Sequence, residues 1–115
     1  MRRHFLALAL TVACACLAHD GAALAASAER GKTAFMHAGC WQCHGTAGQG
    51  SIAGPKLAPD PLPFESLSAF VRSSSRAMPP FREEVLSDED LADIYAYLQS
   101  IPPAPAPDSI PLLKE

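Results

Sequence analysis

The chain opens with a continuous apolar run, Phe5 to Leu17, behind two positive residues, Arg2 and Arg3. His19, Asp20 and Gly21 break the run, and Ala23-Leu24-Ala25 offers a small-x-small cleavage site. That order predicts a secretory signal peptide over residues 1–25, with an uncleaved anchor as the other reading. The run falls short of the roughly 20 apolar residues that a comfortable membrane span requires. From Ala28 to Ala38 the pattern becomes helical. Ser27 is a plausible N-cap, Glu29 sits in the first turn where it suits the helix dipole, and Gly39 is placed to end the helix in a left-handed conformation.

Residues 45–63 have no period. Gly45, Gly48, Gly50 and Gly54 stand close together among Pro, Ala and Ser, which predicts a long ordered loop; a loop of that length in a small domain is usually functional. Leu67, Phe70 and Val71 then return at helical spacing, so a short helix is expected over Phe64 to Arg72, stopped by Ser73-Ser74-Ser75. A second irregular stretch carries Met78-Pro79-Pro80-Phe81. Behind it comes the clearest helix of the chain. Ser87 is its N-cap, and Asp88, Glu89 and Asp90 place negative charge at the positive end of the dipole, with Asp90 where a capping box would put Glu. Leu91, Ile94, Leu98 and Ile101 form its apolar stripe, flanked by Tyr95 and Tyr97. Pro102-Pro103 stops it, and residues 102–115 read as an extended, Pro-rich tail. No strand pattern and no internal repeat stand out, so the fold class is all-α.

Length and charge narrow the function. If the signal peptide is removed, about 90 residues remain, with seven Lys/Arg against eleven Asp/Glu, a formal charge of −4. That surface argues against nucleic-acid binding, which calls for a basic footprint, and suits a basic docking partner. A domain of this size buries only about 60–65% of its chain surface and usually recruits a disulfide, a metal or a cofactor. Cys14 and Cys16 fall inside the signal segment. A lipid-attachment site at Cys16 would call for a leucine where Ala13-Cys14-Ala15 stands, so both read as apolar filler. Cys40 and Cys43 remain.

Those two cysteines belong to Cys40-Trp41-Gln42-Cys43-His44, a C-x-x-C-H run of the kind that attaches haem c. Two thiols three positions apart on a helical turn reach the two vinyl groups on one porphyrin edge. The His that follows is then carried beneath the iron, where one ring nitrogen coordinates it and the other requires a hydrogen-bond acceptor. Two competing readings are weaker. A thioredoxin-type C-x-x-C expects a βαβ pattern that is missing here. A zinc site from Cys40, Cys43, His37 and His44 would crowd four ligands into eight residues.

With these motifs in place, the chain resembles class I c-type cytochromes, in particular the short bacterial monohaem domains attached to periplasmic dehydrogenases and cbb-type oxidases. The resemblance runs from about Glu29 to Ile101. It implies three to four short helices wrapped around one covalent haem c, with terminal helices that cross through Gly31 and Phe35 on the first and Ile94 and Tyr97 on the last. It also implies a distal methionine, matched by Met78 in Met78-Pro79-Pro80-Phe81, and a carbonyl offered to the proximal His by the Gly54-Pro55 step.

The residues themselves support Met78 as well. Met36 and His37 lie on the helix entering the haem motif and cannot easily reach across the ring, and Met1 is in the signal segment. Met78 is the remaining methionine, and Pro79 and Pro80 limit the freedom its loop loses on ligation. His37 and Lys56 are read as surface groups. The expected site is therefore Cys40 and Cys43 as thioethers, His44 and Met78 as axial iron ligands and Pro55 as the carbonyl partner. Trp41, Phe64, Phe70, Phe81 and Tyr97, with Ile94 and Leu98, are expected to keep water from the ring.

An iron ligated on both faces has no open position and suits outer-sphere electron transfer. The expectation is a non-enzymatic, monomeric, single-electron carrier in a bacterial periplasm. It would work between a donor dehydrogenase or respiratory complex and an oxidase or reductase, touching the membrane only transiently or through a partner. The alternatives are a gas-binding or peroxidase-like haem protein with a labile Met78, and a dedicated subunit of one dehydrogenase.

Overall fold

The computed structural model describes residues 25–114. The expected signal segment, Ala25 apart, lies outside the described residues. Four α-helices follow in order: α1 (Ala28–His37), α2 (Trp41–His44), α3 (Phe64–Ser73) and α4 (Asp88–Ser100). No strand occurs among the described residues, and none of their helices is long and apolar enough to cross a membrane.

The caps explain where the helices begin and end. Ser27 Oγ accepts from Arg30 N at 3.3 Å to start α1. At the other end Cys40 N donates to Phe35 O and Gly39 N to Met36 O, both at 3.2 Å, with Gly39 at φ 79°. These two bonds make the Schellman arrangement that satisfies the last carbonyls and turns the chain directly into α2. Ser87 Oγ accepts from Asp90 N at 3.0 Å to start α4. The capping box expected there takes a different form. Asp90 Oδ2 accepts the Ser87 hydroxyl at 2.8 Å, because the shorter Asp side chain reaches the side chain and not the N-cap amide.

The core lies where α1 crosses α4. Phe35 is fully buried, and Leu91, Ile94, Tyr97 and Leu98 line the facing side of α4. The Phe35 and Tyr97 rings meet with centroids 5.6 Å apart at a 60° tilt. Fully burying a side chain of this kind contributes about 1.5–3 kcal/mol, so this crossing carries most of the apolar stabilisation the chain makes by itself. Gly31 allows it: a Cβ there would collide with the backbone carbonyl of Asp93. The implied crossing through Gly31, Phe35, Ile94 and Tyr97 is thus the observed one.

An ion pair between exposed Arg30 and a buried carboxylate locks the same crossing. Asp93 is 1% exposed, and its carboxylate accepts from Arg30 Nε at 2.7 Å, from Arg30 Nη2 at 2.9 Å and from Ser27 N at 2.6 Å. Arg30 and the Ser27 amide, in that order, hold the Asp93 carboxyl below the usual carboxylate range. The third helix sits more lightly. Leu67 is its buried residue, and Phe64 meets Tyr95 of α4 edge-on at 5.3 Å. Helix α3 runs one residue past the expected end, through Ser73. The tail also differs from plain extended chain. It forms two 3-10 turns, Pro107–Ser109 and Pro111–Leu113, each started by a proline whose fixed φ suits the first position.

Candidate functional site

The C-x-x-C-H run is wound into α2. Cys40 caps this single turn and Cys43 lies within it; His44 N donates to Cys40 O at 3.0 Å. No disulfide joins the two cysteines; Cys40 is partly buried and Cys43 exposed.

His44 is 7% exposed, and its Nδ1 lies 2.8 Å from the carbonyl oxygen of Pro55. A carbonyl only accepts, so Nδ1 carries the proton. That leaves Nε2 as the lone-pair nitrogen, the tautomer a metal-ligating imidazole needs.

The loop from Gly45 to Pro63 is ordered around this contact. Gly50 N donates to His44 O at 2.8 Å, Ser51 N to Gly54 O at 2.9 Å, and Ser51 Oγ to Cys43 O at 2.6 Å. A Cβ at Gly54 would stand 2.8 Å from Cys43 O, so only glycine allows the loop to lie this close to α2. The carbonyl of the next residue, Pro55, is thereby delivered to the imidazole. On the far side Tyr97 OH donates to Thr46 O at 2.8 Å, tying the start of the loop to α4. Leu57 N and Ala58 N both bond Gly48 O, at 2.7 and 2.9 Å.

Met78 sits half-buried in the segment between α3 and α4. Its own carbonyl accepts from Ser74 Oγ at 2.8 Å, and Phe81 N donates to Val71 O at 2.9 Å. Arg72 donates to Phe81 O, Leu86 O and Asp88 Oδ1. The segment is therefore held closed at its ends and at its centre.

The aromatic residues expected to screen a ring divide. Tyr97 is buried and Phe64 and Phe81 are half-buried, whereas Trp41 is 40% and Phe70 is 54% exposed. Ser51, Ser74, Arg72 and the Tyr97–Thr46 bond were not among the expected features. Most of them act on backbone carbonyls, which leave no trace in a pattern of side chains.

The donor set fits haem c: two free thiols one turn apart, and an imidazole with Nδ1 occupied and Nε2 free. A zinc site does not assemble, since His37 is exposed and no group of three or more His, Cys, Asp or Glu side chains is placed to hold a metal ion among the described residues. The comparison with protein families agrees. Residues 26–98 match the family model described as cytochrome c oxidase, cbb3-type, subunit III. No match was found among curated proteins or among solved structures. Such a domain binds haem c covalently with its iron, carries electrons and works with a redox partner or within a complex. The chain belongs to the cbb3-type cytochrome c oxidase subunit III family of class I c-type cytochromes.

Proposed function

We propose that this cytochrome is a periplasmic single-electron carrier whose haem is held by Cys40 and Cys43 through thioethers and by His44 and Met78 as axial ligands. One observation carries the proposal: the Pro55 carbonyl, 2.8 Å from His44 Nδ1, leaves Nε2 as the donor on a buried imidazole that directly follows the Cys40–Cys43 turn. Haem c, when bound, supplies an iron that takes up and releases one electron.

The residues around it set the conditions. His44 is kept in one tautomer and one ring orientation by Pro55. Met78 supplies a neutral thioether, which favours the ferrous state relative to a second imidazole. The donor would be a dehydrogenase or respiratory complex and the acceptor an oxidase or reductase, met through a small transient interface. The acidic residues Glu83, Glu84, Asp88, Glu89 and Asp90 are all exposed, which suits a basic partner surface. The periplasmic location rests on the reading of residues 1–25 as a secretory leader, which would let haem attachment take place outside the cytoplasm.

Ligand variants of the purified holo-protein test the assignment. His44→Ala should lose stable iron coordination. Met78→Ala should keep the attached haem while the reduction potential falls. A wild-type potential in Met78→Ala would refute the assignment of that ligand.

A further inference from the structure

Arg72 lies in the last turn of α3, and its side chain is 22% exposed. Its guanidinium has three acceptors: Nη1 donates to Phe81 O at 2.9 Å and to Leu86 O at 2.7 Å, and Nη2 donates to Asp88 Oδ1 at 2.6 Å. Arg72 precedes Met78 in the chain, and every acceptor follows it. The side chain therefore bridges the mouth of the segment that carries Met78. Two more bonds close that segment, Phe81 N to Val71 O at 2.9 Å and Ser74 Oγ to Met78 O at 2.8 Å, and Ser74 is 6% exposed.

The ion pair with Asp88 does not account for Arg72 alone. The Asp88 side chain is 71% exposed, and exposed pairs contribute little. The two carbonyls matter more. Both lie in irregular chain with no helix to satisfy them, and each receives a charge-assisted bond from the fork. A lysine in this place keeps the charge but cannot reproduce the fixed fork. A neutral thioether is a weak ligand, and each freely moving residue in its loop adds an ordering cost that ligation must overcome.

We infer that Arg72 is a positioning residue for Met78: by pinning the Phe81 and Leu86 carbonyls to α3 it holds closed the segment from which Met78 would ligate the iron. The inference rests on the reading of Met78 as an axial ligand. Loss of Arg72 would let Met78 leave the iron, while the haem would stay attached through α2, which Arg72 does not touch.

Arg72→Gln, Arg72→Lys and Met78→Ala, each as holo-protein, separate the possibilities. The readouts are the sulphur-to-iron charge-transfer band of the oxidised form, carbon monoxide binding by the reduced form, and the denaturant midpoint. Met78→Ala should lose the band and bind carbon monoxide. Arg72→Gln should keep covalent haem, lose most of the band and bind carbon monoxide, the closed-to-open ratio of the Met78 segment shifting on the order of tenfold per lost charge-assisted bond. Arg72→Lys should fall between Arg72→Gln and wild type, with the band clearly reduced. If Arg72 only braces the fold, the midpoint drops while the band and the inertness to carbon monoxide stay as in wild type. That result overturns the inference and leaves Met78 as the ligand. Should Arg72→Gln yield no folded holo-protein, Arg72→Lys decides alone: a full-strength band overturns the inference. A full band in Met78→Ala overturns the ligand reading, and the inference with it.

Discussion

Asp93 stands on the apolar side of α4, two positions after Leu91 and one before Ile94, where a carboxylate would ordinarily be costly. Arg30 and the Ser27 amide satisfy it from α1 and the chain just before it. Its folded pKa lies below the unfolded one, so its contribution is complete above the ordinary carboxylate value of about 3.9. It is lost as pH falls through the lower, folded-state value. The same bond pushes Arg30 further up, so Arg30 stays charged throughout. Asp93→Asn should be less stable than wild type at neutral pH, with the gap narrowing in acid. Denaturant midpoints at neutral pH and below pH 4 check this; a constant gap would mean the pair contributes through packing alone. This pair was not legible in the sequence. Ser27 was read as a cap, which it is, but its amide bonds a residue 66 positions away. Pro55 was legible only through the family resemblance, because its role is played by a carbonyl.

Among the helices, α1 and α4 were the most legible, since their signals are local. Ser27, Gly39 and Ser87 act within a few residues of where they stand; of the predicted stripe, Leu91, Ile94 and Leu98 are buried, while Ile101 is half-buried as the C-cap just past α4. Helix α3 was less so: of Leu67, Phe70 and Val71, Leu67 alone is buried, and α3 meets α4 where Phe64 packs edge-on against Tyr95. The segment after it was legible as the place of Met78 but not as a closed one. Its fastenings, Arg72 and Ser74, bond carbonyls four to fourteen residues onward. The crossing of α1 and α4 gives the sharpest expectation at this scale. Gly31→Ala forces a methyl group into the Asp93 carbonyl, which neither backbone can yield cheaply. It should cost about 1–3 kcal/mol, the ordinary range of overpacking. Thermal or denaturant unfolding of holo-protein measures it, and an unchanged midpoint would show that the crossing shifts freely.

Taken whole, the molecule is a small apolar crossing with two irregular segments fastened beside it. One segment, Gly45 to Pro63, orients His44; the other, between α3 and α4, carries Met78. Neither has regular structure, so each depends on hydrogen bonds to set its shape. Eight buried apolar residues form the core among the described residues, which is few for a domain of this length and consistent with a chain that completes its interior around a cofactor. The family assignment fixes haem c and electron carrying, whereas the two-sided ligation that separates a carrier from a gas-binding protein rests on Met78. Carbon monoxide binding by the reduced, wild-type holo-protein at neutral pH tests that most directly. With His44 and Met78 both bound, the protein should remain inert to carbon monoxide, its reduced spectrum unchanged. Rapid binding by the protein as isolated would contradict the account and make this a haem with an open face.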